Sequence, residues 1–307
     1  MALASMSLSL VNISTKLLLD SSTIKTYEVA YWQGLVVSVT LICILSYQEE
    51  KAGRGADFFK VPKEVRTPFI LRGVFGFTSN ILLFQSLHYI PLSKMTVLFY
   101  TNPIFIALIA YVMLKIKMTN FDIAGILATF IGVYIFSMDP FNNDPTAKSL
   151  EFNSTEWWSD LFGTFIALLG SANTAGAMIA IRKVGGQAHF LMLGLVWGLA
   201  NALCSLLIIF VSGDFQSTPY GWTEIKYLAM AAFGVTSFQI CVTLAFLKEQ
   251  PARVAPLGSL QLILNCLFDF FVLRKDQPPK YNQILGGAVI LISNVTVSVL
   301  KCKNVIK

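Results

Sequence analysis

The sequence predicts an all-α integral membrane protein, with ten transmembrane helices arranged as two inverted five-helix repeats. Three observations predict it. Of the 307 residues 55% are hydrophobic and only 13% charged, with mean hydropathy +0.66, whereas a soluble domain carries about a quarter charged residues. The apolar residues fall into ten segments of the length that crosses a bilayer core. Finally, Phe75-Gly76-Phe77-Thr78-Ser79 recurs as Phe233-Gly234-Val235-Thr236-Ser237, each copy inside an apolar segment and each followed by a proline, Pro91 and Pro251. The copies lie five segments apart. An odd step reverses the direction of crossing, which is the signature of an inverted-topology repeat and of carriers that work by alternating access.

The segments run over 1–19, 27–46, 68–89, 93–115, 121–137, 159–181, 188–211, 223–247, 252–273 and 281–300. Helix one carries Ser5, Ser9, Asn12 and Lys16 on one face. Helix two opens with Glu28, whose expected place is the interface, by snorkelling. Helix three starts with Arg72, divided between a cytosolic anchor and a cavity role, and continues through Ser79 and Gln85. Helix four has Lys94 near its outer end, then Tyr100, Thr101 and Asn102 ahead of Pro103. A proline there removes a helix hydrogen bond, leaving a carbonyl near the midplane to face water or ligand. Helices six and eight are marked by Asn173 and Gln239. On helix nine Gln261, Asn265 and Asp269 recur at i, i+4 and i+8, a polar stripe that would be costly against lipid and so faces the interior. Helices five and ten are rich in small residues and poor in polar ones, apart from Asn294. They read as packing helices or homodimer contacts.

The links between segments leave no room for a soluble domain; the longest, about 47–67 and 138–158, are polar. The domain division is therefore one repeat over 1–137 and a second over 159–300. Net charge is +6, and its placement explains it. With the N-terminus in the cytosol, Lys51, Arg54, Lys60, Lys63 and Arg66 of the 47–67 loop face inward. So do Lys115, Lys117, Arg182, Lys183, Lys248, Arg253 and the C-terminal lysines. The outward set is smaller: Lys25, Lys94, Lys148, Arg274, Lys275 and Lys280. That bias is the positive-inside rule, and it removes nucleic acid as a partner. The five cysteines lie in helices or at the C-terminus, with no metal-ligand spacing, so neither a disulfide framework nor a cofactor is expected. The Ser-rich start lacks the charged lead of a signal peptide, and helix one reads as cut short, its natural start expected upstream.

The ten-segment pattern, Arg72-Gly73-x-x-Gly76, and the stretch from Tyr89 to Phe136 resemble the drug/metabolite transporter superfamily. Within it they are most similar to the EamA type, near the solute carrier 35 group that also contains nucleotide-sugar carriers. The resemblance covers nearly the whole chain. It implies two inverted five-helix repeats around a central cavity, and it implies no single substrate. EamA proteins often have an arginine in the second helix where this chain has Gln33, so that arginine's role does not carry over.

The expected substrate site lies between the repeats, lined by Asn12, Lys16, Ser79, Lys94, Asn102, Gln239, Gln261, Asn265 and Asp269. Lys16, Lys94 and Asp269 fall at one depth on the outer side, where an empty site would pair cation with anion. An anionic or zwitterionic solute competing with Asp269 would exchange that pairing. An enzyme is not indicated: His88 and His189 lie at opposite faces, and no paired acids, nucleophile elbow or phosphate loop occurs. The expected partners are a small organic solute and the lipid bilayer. The competing class is a transporter-like protein that handles lipid or acts as a regulatory scaffold.

Topology is directly testable. Asn153-Ser154-Thr155 is an N-glycosylation sequon in the outward loop, whereas the sequons at Asn12 and Asn294 lie inside helices. A cysteine engineered at 153 is expected to react with an impermeant maleimide from the outer or lumenal side; labelling from the cytosolic side alone would reverse the orientation.

Overall fold

The computed structural model describes residues 2–21, 24–52, 60–86, 89–90, 95, 98–99, 101–115, 120–137, 154–212 and 220–248. Beyond these it describes positions 254, 261, 264–265, 281, 285–286, 288–289, 292–293 and 296. Among them every regular element is helical. The α-helices are α1 (Ala2–Ser21), α2 (Thr26–Ala52), α3 (Arg66–Ser86), α4 (Asn102–Leu114), α5 (Asn120–Ser137), α6 (Ser154–Val184), α7 (Phe190–Ser212) and α8 (Trp222–Lys248). Five described stretches are long and apolar enough to cross a membrane: Thr26–Lys51, Lys63–Ser86, Leu161–Val184, Phe190–Ser212 and Trp222–Lys248. Shorter apolar runs occupy Ala2–Thr15 and Ile104–Met113. The expected ninth and tenth helices lie largely outside the described residues.

The outward faces fit lipid. Phe210 is 86% exposed, and Val211, Leu203, Phe233 and Val112 are likewise open. In water such a surface would drive association; in a bilayer it is the solvent-facing side.

Two boundaries differ from expectation for local reasons. The segment expected as one helix over 93–115 contains a turn at Thr101, and α4 starts only at Asn102 with Pro103 in its first turn. That is where a ring without an N–H costs least. Helix α6 begins at Ser154, inside the stretch expected as loop up to 158, and is 31 residues long. It stops where Gly185 takes a left-handed φ of +59° and returns its N–H to the Ile181 carbonyl at 3.2 Å.

The most extensive helix pairs are α3 with α6, α2 with α7, and α1 with α8, followed by α3 with α7, α4 with α6, and α2 with α8. Exchanging helices by a step of five turns α1·α8 into α6·α3. It leaves α2·α7 as itself and converts α3·α7 into α8·α2. Small residues set these approaches. A Cβ on Gly34 of α2 would lie 2.6 Å from the Ala202 backbone nitrogen and 2.7 Å from the Gly198 carbonyl. One on Gly198 of α7 would lie 3.1 Å from the Gly34 carbonyl. Gly34 and Gly198 thus form a reciprocal crossing. On α8, a Cβ at Gly234 would meet Val11 at 2.9 Å and the Ser7 carbonyl at 3.0 Å. In lipid, close van der Waals contact of this kind replaces the hydrophobic drive for association.

Leucine at Gly34 or Gly234 is therefore expected to cost about 1–3 kcal/mol or more, the range typical of overpacking. The loss would be seen as a lower melting temperature and a broken monodisperse peak in size-exclusion chromatography. Gly186, with nothing within 4 Å of its Cβ position, is the control and should accept leucine without that loss.

Candidate functional site

A cavity of about 130 Å³ lies between the helices of the two halves, room for several waters or a compact solute. Its polar lining comes from Asn12 on α1, Gln33 on α2, Arg72, Ser79 and Asn80 on α3, Thr174 on α6, Gln239 on α8, and Gln261. The α3 contribution follows from helical spacing. Arg72, Gly76, Ser79 and Leu83 recur at intervals of four, three and four, so one face of the helix is presented to the cavity. Trp197 of α7 and the apolar side chains Leu83, Phe84, Phe99, Met178 and Phe238 supply much of the remaining wall.

The wall is built from hydrogen bonds between distant parts of the chain. Arg72 is 2% exposed, and its Nη2 donates to Gln239 Oε1 at 2.7 Å, tying α3 to α8. Ser79 Oγ donates to the Gly170 carbonyl at 3.0 Å and also contacts the Thr174 hydroxyl, which itself donates to Gly170 at 3.0 Å. Asn80 Nδ2 donates to Asn201 Oδ1 at 2.9 Å, and Asn201 Nδ2 to the Trp197 carbonyl at 2.9 Å. Each bond satisfies a group that has no bulk water to turn to.

The break before α4 is part of this construction. Pro103 lacks the N–H that would bond the Phe99 carbonyl four residues back, and Ser171 Oγ of α6 donates to that carbonyl at 3.2 Å. The Thr101 hydroxyl donates to the Leu98 carbonyl at 2.6 Å and lies 3.4 Å from Ser171 Oγ. The carbonyl expected to face water or ligand thus has a protein donor.

Of the expected site residues, Asn12, Ser79, Gln239 and Gln261 come together in the cavity. Asn102 and Asn265 are not in its lining; each has a buried Oδ1 without a hydrogen-bond partner. The side chains of Lys16, Lys94 and Asp269 lie outside the described residues. Glu28 does not snorkel: it is 1% exposed and accepts from the Tyr220 hydroxyl at 3.4 Å, while Trp32 Nε1 donates to that hydroxyl at 3.0 Å. Arg72 lines the cavity, settling a question its spacing left even. Gln33, Asn80, Thr174 and Trp197 were not anticipated; Asn80 adjoins Ser79, and Gln33 sits where the resemblance marks an arginine. Among the described residues no cluster of three or more histidine, cysteine or acidic side chains offers a metal site.

Residues 1–138 match the EamA-like transporter family. Human solute carrier family 35 member G1 is 25% identical over 78% of this chain, which spans 64% of that protein's length. A probable transport protein of Saccharomyces cerevisiae is 22% identical over 85% of this chain and 75% of its own. Purine permease 3 of Arabidopsis thaliana is 20% identical over 68% of this chain and 60% of its own. A crystal structure at 15% identity superposes with a TM-score of 0.70 over 99% of this chain and 96% of that one, showing a common fold.

The Ser171 bond gives a double-mutant test. Ser171→Ala is expected to lower stability by about 1 kcal/mol, read as a fall in melting temperature. In a Pro103→Ala background the same change should cost less, because an alanine at that position restores the helical donor to Phe99. Equal costs in the two backgrounds would show that the hydroxyl does not substitute for the missing N–H.

Proposed function

We propose that this chain, whose residues 1–138 match the EamA-like transporter family, is a drug/metabolite transporter superfamily protein of the EamA type and carries a small organic solute across its membrane by alternating access. The observation that carries the reading is the cavity itself, lined by polar groups from both halves of the chain and enclosed by spans whose outer faces suit lipid. The protein is a multi-pass membrane protein and acts as a carrier, not an enzyme.

Several features support the finer architecture of ten helices in two inverted repeats, 1–137 and 159–300. The repeated Phe-Gly-x-Thr-Ser stretch lies on α3 and α8, and the helix pairing maps onto itself under a step of five. Two such halves rocking about a shared cavity would expose it to one side and then the other. The termini face the cytosol in this reading, and the small-residue faces of segments five and ten provide the homodimer contact.

The solute is an organic metabolite with anionic or zwitterionic character. In this reading the incoming anion competes with Asp269 for Lys16 or Lys94; the alternative is that these residues are a structural ion pair sealing the outer side. The exchange gives solute and empty protein different preferred conformations, which coupling requires.

Purified protein in proteoliposomes is expected to show saturable uptake accelerated by the same solute preloaded inside. Flux linear in concentration and unaffected by preloading would favour the lipid-handling or scaffold reading instead. For an anionic solute so identified, Lys16→Gln or Lys94→Gln should weaken binding and Asp269→Asn leave it intact or tighten it. If all three leave affinity unaltered, these residues are structural and the site lies elsewhere.

A further inference from the structure

Arg72 sits inside the span Lys63–Ser86, is 2% exposed, and faces the central cavity. Its guanidinium has one recorded hydrogen bond, from Nη2 to the neutral Gln239; Nε has none. No carboxylate among the described residues pairs with it, and the described cavity lining holds no aspartate or glutamate. A cation removed from water without a counter-charge is among the most costly arrangements a membrane protein can hold. Glutamine offers a dipole where the guanidinium fork is shaped to take two oxygens of an anion.

We propose that Arg72 is the anion-binding group of this cavity, and that the solute it takes is a compact organic monoanion, a carboxylate with an apolar body. This rests on the reading of the cavity as the solute's path. Gly76, one turn along α3, lets the Trp197 indole come up beside the guanidinium: a Cβ there would lie 3.2 Å from Nη1 and would collide with the indole. Guanidinium and indole therefore share one corner. The solute's body lies against Leu83, Phe84, Phe99, Met178 and Phe238, which offer no partner to a second charge. The charge is single because the lining is asymmetric. The internal repeat aligns Arg72 with Met230, so the second half supplies no matching guanidinium, and among the described lining residues Arg72 is the only cation.

Binding also changes a contact between the halves. Gln239 occupies Nη2 when the cavity is empty. A carboxylate oxygen taking that donor breaks the Arg72–Gln239 bond between α3 and α8, the two helices that carry the repeated motif.

The test uses the full chain in lipid nanodiscs, titrated with benzoate, phenylacetate and hexanoate, each against its neutral amide, and with succinate as a dianion. Each monocarboxylate is expected to bind at least tenfold more tightly than its amide and than succinate. Arg72→Lys should lose about tenfold in carboxylate affinity, and Gln239→Leu should bind benzoate more tightly by removing the competitor. Arg72→Gln should abolish the preference for acid over amide while raising the melting temperature of the empty protein, since it removes a buried cation that no described carboxylate balances; a structural arginine gives a fall instead. Amides binding as well as acids in the wild type, a comparison independent of any variant, would overturn the proposal. So would an acid preference that survives Arg72→Gln. Saturable uptake of neutral solutes without carboxylate binding would leave the carrier reading standing and sink this one. Carboxylate binding at Arg72 with no uptake of any solute would do the reverse.

Discussion

Between helices in lipid there is no hydrophobic drive, because the surrounding chains are as apolar as the side chains they touch. Association has to come from closeness. In this protein that closeness is set by glycine: Gly34 against Gly198, Gly234 against Val11 and Ser7, Gly170 against Leu83. Several of the cavity's polar contacts follow. Arg72 reaches Gln239, 167 residues away in sequence, because the bundle brings α3 and α8 within a hydrogen bond of each other. Ser79 reaches the Gly170 carbonyl because Gly170 lets α6 lie against Leu83 of the same helix.

The same lack of water governs the polar groups. A buried hydroxyl or amide left unpaired costs on the order of 1–3 kcal/mol, and the walls are accordingly stitched. Thr174 and Thr236 bond carbonyls one turn back on their own helices, while Asn80 bonds Asn201 across α3 and α7. The proline that interrupts the fourth segment is met by a serine from α6. The guanidinium of Arg72 is only partly bonded, and among the described residues lining the cavity it is the one cation.

Much of this is legible in the sequence, for physical reasons. A bilayer imposes a length and a hydropathy on every crossing, so the helices α1–α8 fall close to the apolar segments. Polar residues at helical spacing are conspicuous against an apolar background, and Asn12, Ser79, Gln239 and Gln261 are in the cavity wall. What sequence does not carry is which neighbour a polar residue meets. Spacing alone left Arg72 between anchor and cavity, because its burial is decided by Gln239, Gly76 and Trp197. Asn102 followed the same polar pattern yet is not in the lining; it opens α4, just after the turn at Thr101. Glu28 sits in the first turn of a helix, where snorkelling is cheap, but Tyr220, just ahead of α8, covers it.

The crossing of α2 and α7 has a consequence for how such a chain can vary. Gly34 and Gly198 are each other's environment: the carbonyl of one occupies the space where the other's Cβ would stand. Neither can be enlarged in exchange for a reduction in its partner, because both are already at the minimum. Drift at these two positions is therefore blocked in both members at once, unlike an ordinary core pair, where a large and a small residue can trade places.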